Sequence, residues 1–135
     1  MPTTRADRLE IRSSDDVVKV RQQTRTMAVE AGLSLVDQTK IITAASELAR
    51  NTLDYGGGGE IRMEVIEDGG RRGVRLTFED HGPGIADVQQ AMKDGFSSGS
   101  GLGLGLGGAK RLSNEFAIES KVGAGTKITI ARWKA

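Results

Sequence analysis

A chain of 135 residues has room for one domain and little for a second, and 37% hydrophobic with 27% charged residues is ordinary for a globular protein. A formal net charge of +1 gives no reason to expect nucleic acid or an anionic membrane as the main partner, and the lack of cysteine excludes disulfides, thiolate metal sites and a cysteine nucleophile. No stretch approaches the roughly 20 apolar residues of a membrane span, and Met1–Arg12 has no apolar signal core, so the expectation is a cytoplasmic protein.

Residues 1–6 are expected to be loose, followed by a short strand over Leu9–Arg12. Ser14 and Asp15 offer N-caps for a helix running to Ala31, with Gly32 as its stop. Val17, Val20, Thr24, Met27 and Ala28 fall on one face of it. Ser34 followed by Asp37 resembles a capping box and opens a second helix through about Asp54, with Ile41, Ile42, Ala45, Leu48 and Thr52 as its buried stripe and Gly56–Gly59 as its end. Glu60–Glu67 and Gly73–Glu79 alternate apolar with polar residues and read as strands of a hairpin around Asp68-Gly69-Gly70. A loop over Asp80–Ile85, a short helix over Ala86–Lys93, a long loop over Asp94–Gly105 and a helix over Gly107–Asn114 follow. Glu115–Lys121 and Thr126–Trp133 form a last hairpin around Gly123-Ala124-Gly125. This order predicts an α+β two-layer sandwich: a mostly antiparallel mixed sheet with helices on one face, spanning 1–135 as a single domain.

Three motifs have the chemistry to hold a nucleotide. In Glu47-Leu48-Ala49-Arg50-Asn51, positions i and i+4 share a helix face. The Asn51 carbonyl oxygen suits a hard Mg²⁺ ion that already carries phosphates, and Glu47 suits acceptance of a proton from an attacking hydroxyl; a solvated polar face is the plainer alternative. In Asp80-His81-Gly82-Pro83-Gly84-Ile85, the glycines permit close backbone approach to a flat ring, and Asp80 can accept a hydrogen bond from an exocyclic amine such as that of adenine. A simple strand-to-helix turn fits the same residues. Gly99-Ser100-Gly101-Leu102-Gly103-Leu104-Gly105-Leu106-Gly107-Gly108 runs into a helix, so its backbone N–H groups form an anion site, although a structural loop stays open. A dinucleotide-binding reading of Gly103, Gly105 and Gly108 fails because no early βαβ unit surrounds them, and no G-K-[ST] supplies a Walker A loop. His81 reads as a loop residue and Trp133 as packing or partner contact.

Taken in order, E-x-x-x-N on a helix, D-x-G-x-G, G-x-G-L-G-L before a helix and Gly123-x-Gly125-Thr126 in a hairpin resemble the ATP-binding fold shared by gyrase-type ATPases, Hsp90 chaperones, histidine kinases and MutL, the GHKL fold, over roughly residues 40–130. Ser46–Asn51, Glu79–Ile85 and Lys110-Arg111-Leu112 look most like the bacterial anti-sigma regulatory serine/threonine kinases. Val36-Asp37-Gln38, Asp54-Tyr55 with the glycines that follow, and Asp94-Gly95-Phe96-Ser97 are similar to the stressosome switch kinases of the sigma-B module, across nearly the whole chain.

That resemblance implies ATP and Mg²⁺ as cofactors. It implies Glu47 as general base, Asn51 as the Mg²⁺ ligand, Asp80 on the adenine amine, Gly84 beneath the ring with Gly82 and Ile85 beside it, Thr126 at the adenine side, and Gly101, Leu102, Gly103, Leu104 and Gly105 as the lid. It implies STAS-domain scaffold or antagonist proteins as substrates, a PP2C-type phosphatase as a second partner, and leaves a transient dimer open. Gly107-Gly108 stands where relatives often have proline or a larger residue, which weakens helix initiation by up to ~1 kcal/mol per residue. An ATP-gated anti-sigma factor would use the same pocket with little or no catalysis. A detached histidine-kinase domain would need a phosphoacceptor helix, and a gyrase-like ATPase a transducer domain; neither is expected here.

Overall fold

The computed structural model describes residues 3–85, 92 and 105–135. It contains β1 (Thr3–Ile11), α1 (Ser14–Glu30), α2 (Leu35–Asp54), β2 (Gly59–Asp68), β3 (Arg71–Asp80), α3 (Gly105–Arg111), β4 (Glu115–Lys121) and β5 (Gly125–Trp133). The strands form one sheet in the order β1-β2-β3-β5-β4, and every pairing is antiparallel among the described residues. The two-layer α+β sandwich expected from the sequence is therefore present. The helix expected over 86–93, apart from Met92, and the lid residues Gly101, Leu102, Gly103 and Leu104 lie outside the described residues.

Local chemistry sets the boundaries. Helix α1 ends in a Schellman motif: Gly32 takes φ +78°, its N–H donates to Val29 O, and Leu33 N–H donates to Ala28 O. Its N-cap is Ser13 rather than Ser14 or Asp15, and the Asp16 carboxylate accepts from Arg12 N–H at 2.8 Å. Helix α2 is capped by Ser34, whose Oγ accepts from Asp37 N–H at 3.1 Å. Strands β2 and β3 join through Gly69-Gly70, both at positive φ, as a tight two-residue hairpin requires.

The period-2 pattern sends Ile61, Met63 and Val65 of β2, Val74, Leu76 and Phe78 of β3, and Ile128 and Ile130 of β5 to one face, where they meet Val17, Val20 and Met27 of α1 and Ile41, Ala45 and Leu48 of α2. No helix lies on the opposite face among the described residues. There Trp133 lies across Gly73, under the Arg71 guanidinium, and Glu64 is almost fully buried beneath a bidentate pair of 3.0 Å bonds from Arg75. Long arginine stems substitute for the missing layer.

Strand β1 begins at Thr3, not near Leu9. Residues Thr3–Arg8 carry little apolar pattern, and polar contacts hold them instead. Thr3 Oγ1 donates to Glu64 Oε2 (2.8 Å), Arg5 to Glu30 (2.6 Å), and Arg8 pairs with Glu60. The backbone pairing with β2 runs the full length, with one irregularity between Thr3 and Arg5.

Asp37 also reaches the far end of the chain. Its Oδ1 accepts from Arg132 Nε (3.1 Å) and Nη2 (2.8 Å), tying the start of α2 to the end of β5. The Arg132 guanidinium holds the Asp37 carboxyl below its ordinary 3.8, and the Arg75 guanidinium holds Glu64 below its ordinary 4.5. A carboxyl whose folded pKa is depressed contributes stability above its unfolded pKa and loses it as pH falls through the folded value. Stability in urea titrations is therefore expected to be level from neutral pH to about 5 and to fall at more acid pH. Asp37→Asn should lower stability at neutral pH by about 2 kcal/mol, because it leaves a mostly buried guanidinium without its carboxylate, and should flatten the acid slope. An unchanged slope would show that Asp37 is not one of the titrating groups.

Candidate functional site

Helix α2 serves the core and the site at once. Ile41, Ala44, Ala45, Leu48 and Ala49 are buried, yet so is Glu47, at 5% exposure. Its Oε2 has no hydrogen-bond partner among the described residues. A buried carboxylate oxygen left bare costs free energy, and such a group marks a place where something else is meant to bind or react. Asn51 lies one turn on along the same helix face and is half-buried. Helix α3 packs along α2 and contributes Leu106 and Ala109 to the core. Gly105 opens α3 at φ +58°, so the helix starts two residues earlier than expected, and Gly107 and Gly108 are buried within it. The pair read as a weak helix start sits in the interior, where a larger side chain would need room.

The end of α2 brings these residues to the end of β3. Tyr55 N–H and Gly56 N–H both donate to Asn51 O. A Cβ on Gly56 would lie 2.4 Å from Asp80 Cγ, and one on Gly82 would lie 2.7 Å from Gly56 Cα. On the other side, a Cβ on Gly125 would lie 2.1 Å from Asp80 O. Gly56 thus lies against the Asp80 side chain and Gly125 against its backbone, while Gly82 lies against Gly56, approaches that leave no room for a Cβ. The Asp80 carboxylate itself is braced, its Oδ1 accepting from Gly82 N–H at 2.9 Å.

The loop after Asp80 is fastened to the β4–β5 hairpin. Gly123 N–H donates to Pro83 O (2.8 Å), and Ile85 N–H donates to Ser120 Oγ (2.7 Å). Ser120 Oγ lies 2.8 Å from Thr126 Oγ1 and 3.2 Å from Gly125 O. Gly84 adopts φ +77°, with its Cα so near β4 that a Cβ would fall 2.2 Å from Lys121 O. Thr126 pairs with Asp80 across β3 and β5, so both side chains leave the same face of the sheet. A depression of about 250 Å³ at these strand ends is lined in part by Asp80, Ser120, Gly125 and Thr126.

The structure brings Asp80, Gly82, Gly84, Ile85 and Thr126 into one wall, and joins Glu47 and Asn51 to it through Gly56. His81 is exposed beside this wall. Gly56 and Ser120 are the residues sequence reasoning did not single out; the first looked like a helix stop and the second like an ordinary strand serine. Among the described residues no cluster of three His, Cys, Asp or Glu side chains is placed to hold a metal. Mg²⁺ bound with a nucleotide takes much of its coordination from phosphate oxygens and water and needs few protein ligands. The amide of Asn51, an oxygen donor one turn from Glu47, is of the type that suits such an ion. No helix among the described residues is long and apolar enough to cross a membrane.

Residues 36–135 match the family described as histidine kinase-, DNA gyrase B-, and HSP90-like ATPase. The serine/threonine-protein kinase RsbT of Bacillus subtilis is 48% identical over 118 residues, covering 87% of this chain and 89% of that one. An anti-sigma F factor of Anoxybacillus flavithermus is 31% identical, over 73% of this chain and 71% of its own. Among solved structures, the RsbU and RsbW domains of a Mycobacterium tuberculosis protein align with TM-score 0.68 at 22% identity. That alignment covers 98% of this chain but only 34% of the longer one. The mycobacterial sensor histidine kinase MprB aligns with TM-score 0.54 at 15% identity, over 96% of this chain and 97% of its own. At such identities the two structures speak for the fold alone. The chain belongs to the histidine kinase-, DNA gyrase B- and HSP90-like ATPase family, and within it to the group of the serine/threonine-protein kinase RsbT.

Proposed function

We propose that this chain is a cytoplasmic, single-domain serine/threonine protein kinase that transfers the γ-phosphoryl group of ATP, with Mg²⁺, to STAS-domain regulatory proteins, and that in its released form it activates a PP2C-type phosphatase. The observation that carries the catalytic part is Glu47, buried with one carboxylate oxygen unpaired among the described residues, one helical turn from Asn51. The 48% identity to a serine/threonine-protein kinase supports the activity class.

In this reading Asp80 accepts a hydrogen bond from the adenine 6-amino group, with Gly82, Gly84 and Ile85 against the ring and Thr126 at its edge. Asn51 would hold Mg²⁺ through its amide oxygen, and Gly101, Leu102, Gly103, Leu104 and Gly105 close over the phosphates. Bound Mg²⁺ neutralises phosphate charge, which matters because the transition state is loose and its stabilisation is mostly electrostatic. Glu47 orients the substrate serine or threonine hydroxyl. As the new O–P bond forms and the bond to the β-phosphate oxygen breaks, Glu47 takes the hydroxyl proton and ADP leaves.

Two variants separate binding from transfer. Asn51→Ala should weaken ATP binding in the presence of Mg²⁺ by roughly tenfold or more, and should abolish the difference between titrations with and without the metal. Binding that keeps its metal dependence would remove Asn51 from that role. Glu47→Ala should bind Mg-ATP normally and transfer labelled γ-phosphate to STAS-domain proteins about 10²- to 10⁴-fold more slowly. If the unaltered protein binds ATP and labels no STAS-domain protein, the kinase reading fails and an ATP-gated anti-sigma binder takes its place.

A further inference from the structure

Ser120 sits at the centre of a hydrogen-bond network whose proton directions can be worked out. Its hydroxyl has one hydrogen and two lone pairs. Ile85 N–H can only donate, so Ser120 accepts there (2.7 Å). Gly125 O can only accept, so Ser120 gives its single proton there (3.2 Å). The remaining 2.8 Å contact, to Thr126 Oγ1, allows either atom to donate on geometry alone, but all three contacts are hydrogen bonds at once only when Thr126 donates to the second lone pair of Ser120. The opposite assignment would place two oxygen lone pairs face to face across the Ser120–Gly125 contact and leave that carbonyl without the bond.

The consequence reaches the site through Thr126. With its proton committed to Ser120, Thr126 Oγ1 presents only lone pairs elsewhere. Asp80, directly opposite on β3, is also an acceptor: its Oδ1 accepts from Gly82 N–H, and its Oδ2 is the second acceptor of the same carboxylate. Two neighbouring acceptors suit a group with two hydrogens, such as an exocyclic amine, and oppose a carbonyl oxygen. A site built around hydrogen bonds rejects a ligand that leaves them unmade or reversed far more strongly than an apolar pocket does.

We propose that Ser120 is a positioning residue for base recognition: by taking the Thr126 proton it turns Thr126 into an acceptor beside Asp80, so that the site selects a 6-amino purine over a 6-oxo purine. This rests on the nucleotide reading above. Ser120 does not touch the base; it acts by setting the direction of a neighbour's hydrogen. Removing it lets the Thr126 hydroxyl rotate and donate to a 6-oxo group.

The test is calorimetric titration of the full chain with Mg-ATP and Mg-ITP, which differ at position 6 of the purine. The unaltered protein should prefer ATP. Ser120→Ala should narrow the ATP/ITP preference by about tenfold, chiefly through tighter ITP binding, and Ser120→Thr, which keeps the hydroxyl, should restore it. Thr126→Val should narrow the preference from the other side, through weaker ATP binding. A Ser120→Ala protein that weakens both nucleotides equally would show that Ser120 only braces the loop, and an unchanged ratio would equally overturn the proposal. If Ser120→Ala does not fold, Thr126→Val decides: an unchanged ratio there also overturns it. Failure of the unaltered protein to bind either nucleotide would sink the nucleotide reading and this inference with it, whereas ATP binding with unaltered ratios in the variants sinks this inference alone.

Discussion

The arrangement depends on how closely backbones approach at the end of β3. A Cβ on Gly56 or Gly125 would overlap Asp80, and a Cβ on Gly59 would fall 2.2 Å from Glu79 O. The exit of α2, the first residue of β2 and the start of β5 therefore press on the same two residues, Glu79 and Asp80. Because protein interiors are packed without slack, any side chain placed there would push a whole element rather than a single rotamer. The carboxylate of Asp80 is thus held by the fold itself, and the α2 residues Glu47 and Asn51 sit at a fixed offset from it.

Much of this was legible in the sequence because the glycines stand between segments of clear periodicity. The alternation of Ile61, Met63 and Val65 against Val74, Leu76 and Phe78 specified the β2–β3 hairpin, and the stripe on α2 from Ile41 to Thr52 specified which side of that helix is buried. The sequence concealed interactions that join distant residues. Thr3–Arg8 looks like a loose polar terminus because the residues that hold it, Glu30, Glu60 and Glu64, come later in the chain. Asp37 is recognisable as part of a helix start, but its partner Arg132 is 95 residues away. Ser120 carries no local signal, since its importance arises only when β4, β5 and the Gly84–Ile85 loop meet.

The same helix that anchors the core also carries Glu47, buried, with its Oε2 unpaired among the described residues. Replacing Glu47 with an apolar residue of similar size would suit local packing better, and most sites with that burial in a helix are apolar. Local stability and the candidate chemistry pull in opposite directions at this position, and conflict of that kind is concentrated at functional sites. Asp37 and Glu64 are buried carboxylates too, but each is matched by an arginine and raises no such conflict.

Strand β5 follows β4 in the chain yet lies between β3 and β4 in the sheet. During synthesis, β1, β2 and β3 can pair as soon as they emerge, but the outer edge of β3 then waits, unpaired, through the whole segment that separates it from β5. That edge bears Leu76 and Phe78, and an open edge of this sort is a template for pairing with another chain. Until β5 is made, one side of β3 has no strand to pair with, and completion of the sheet is a long-range event. The order of strands therefore makes a chain that still lacks β5, more than the finished protein, open to pairing along β3 with another strand.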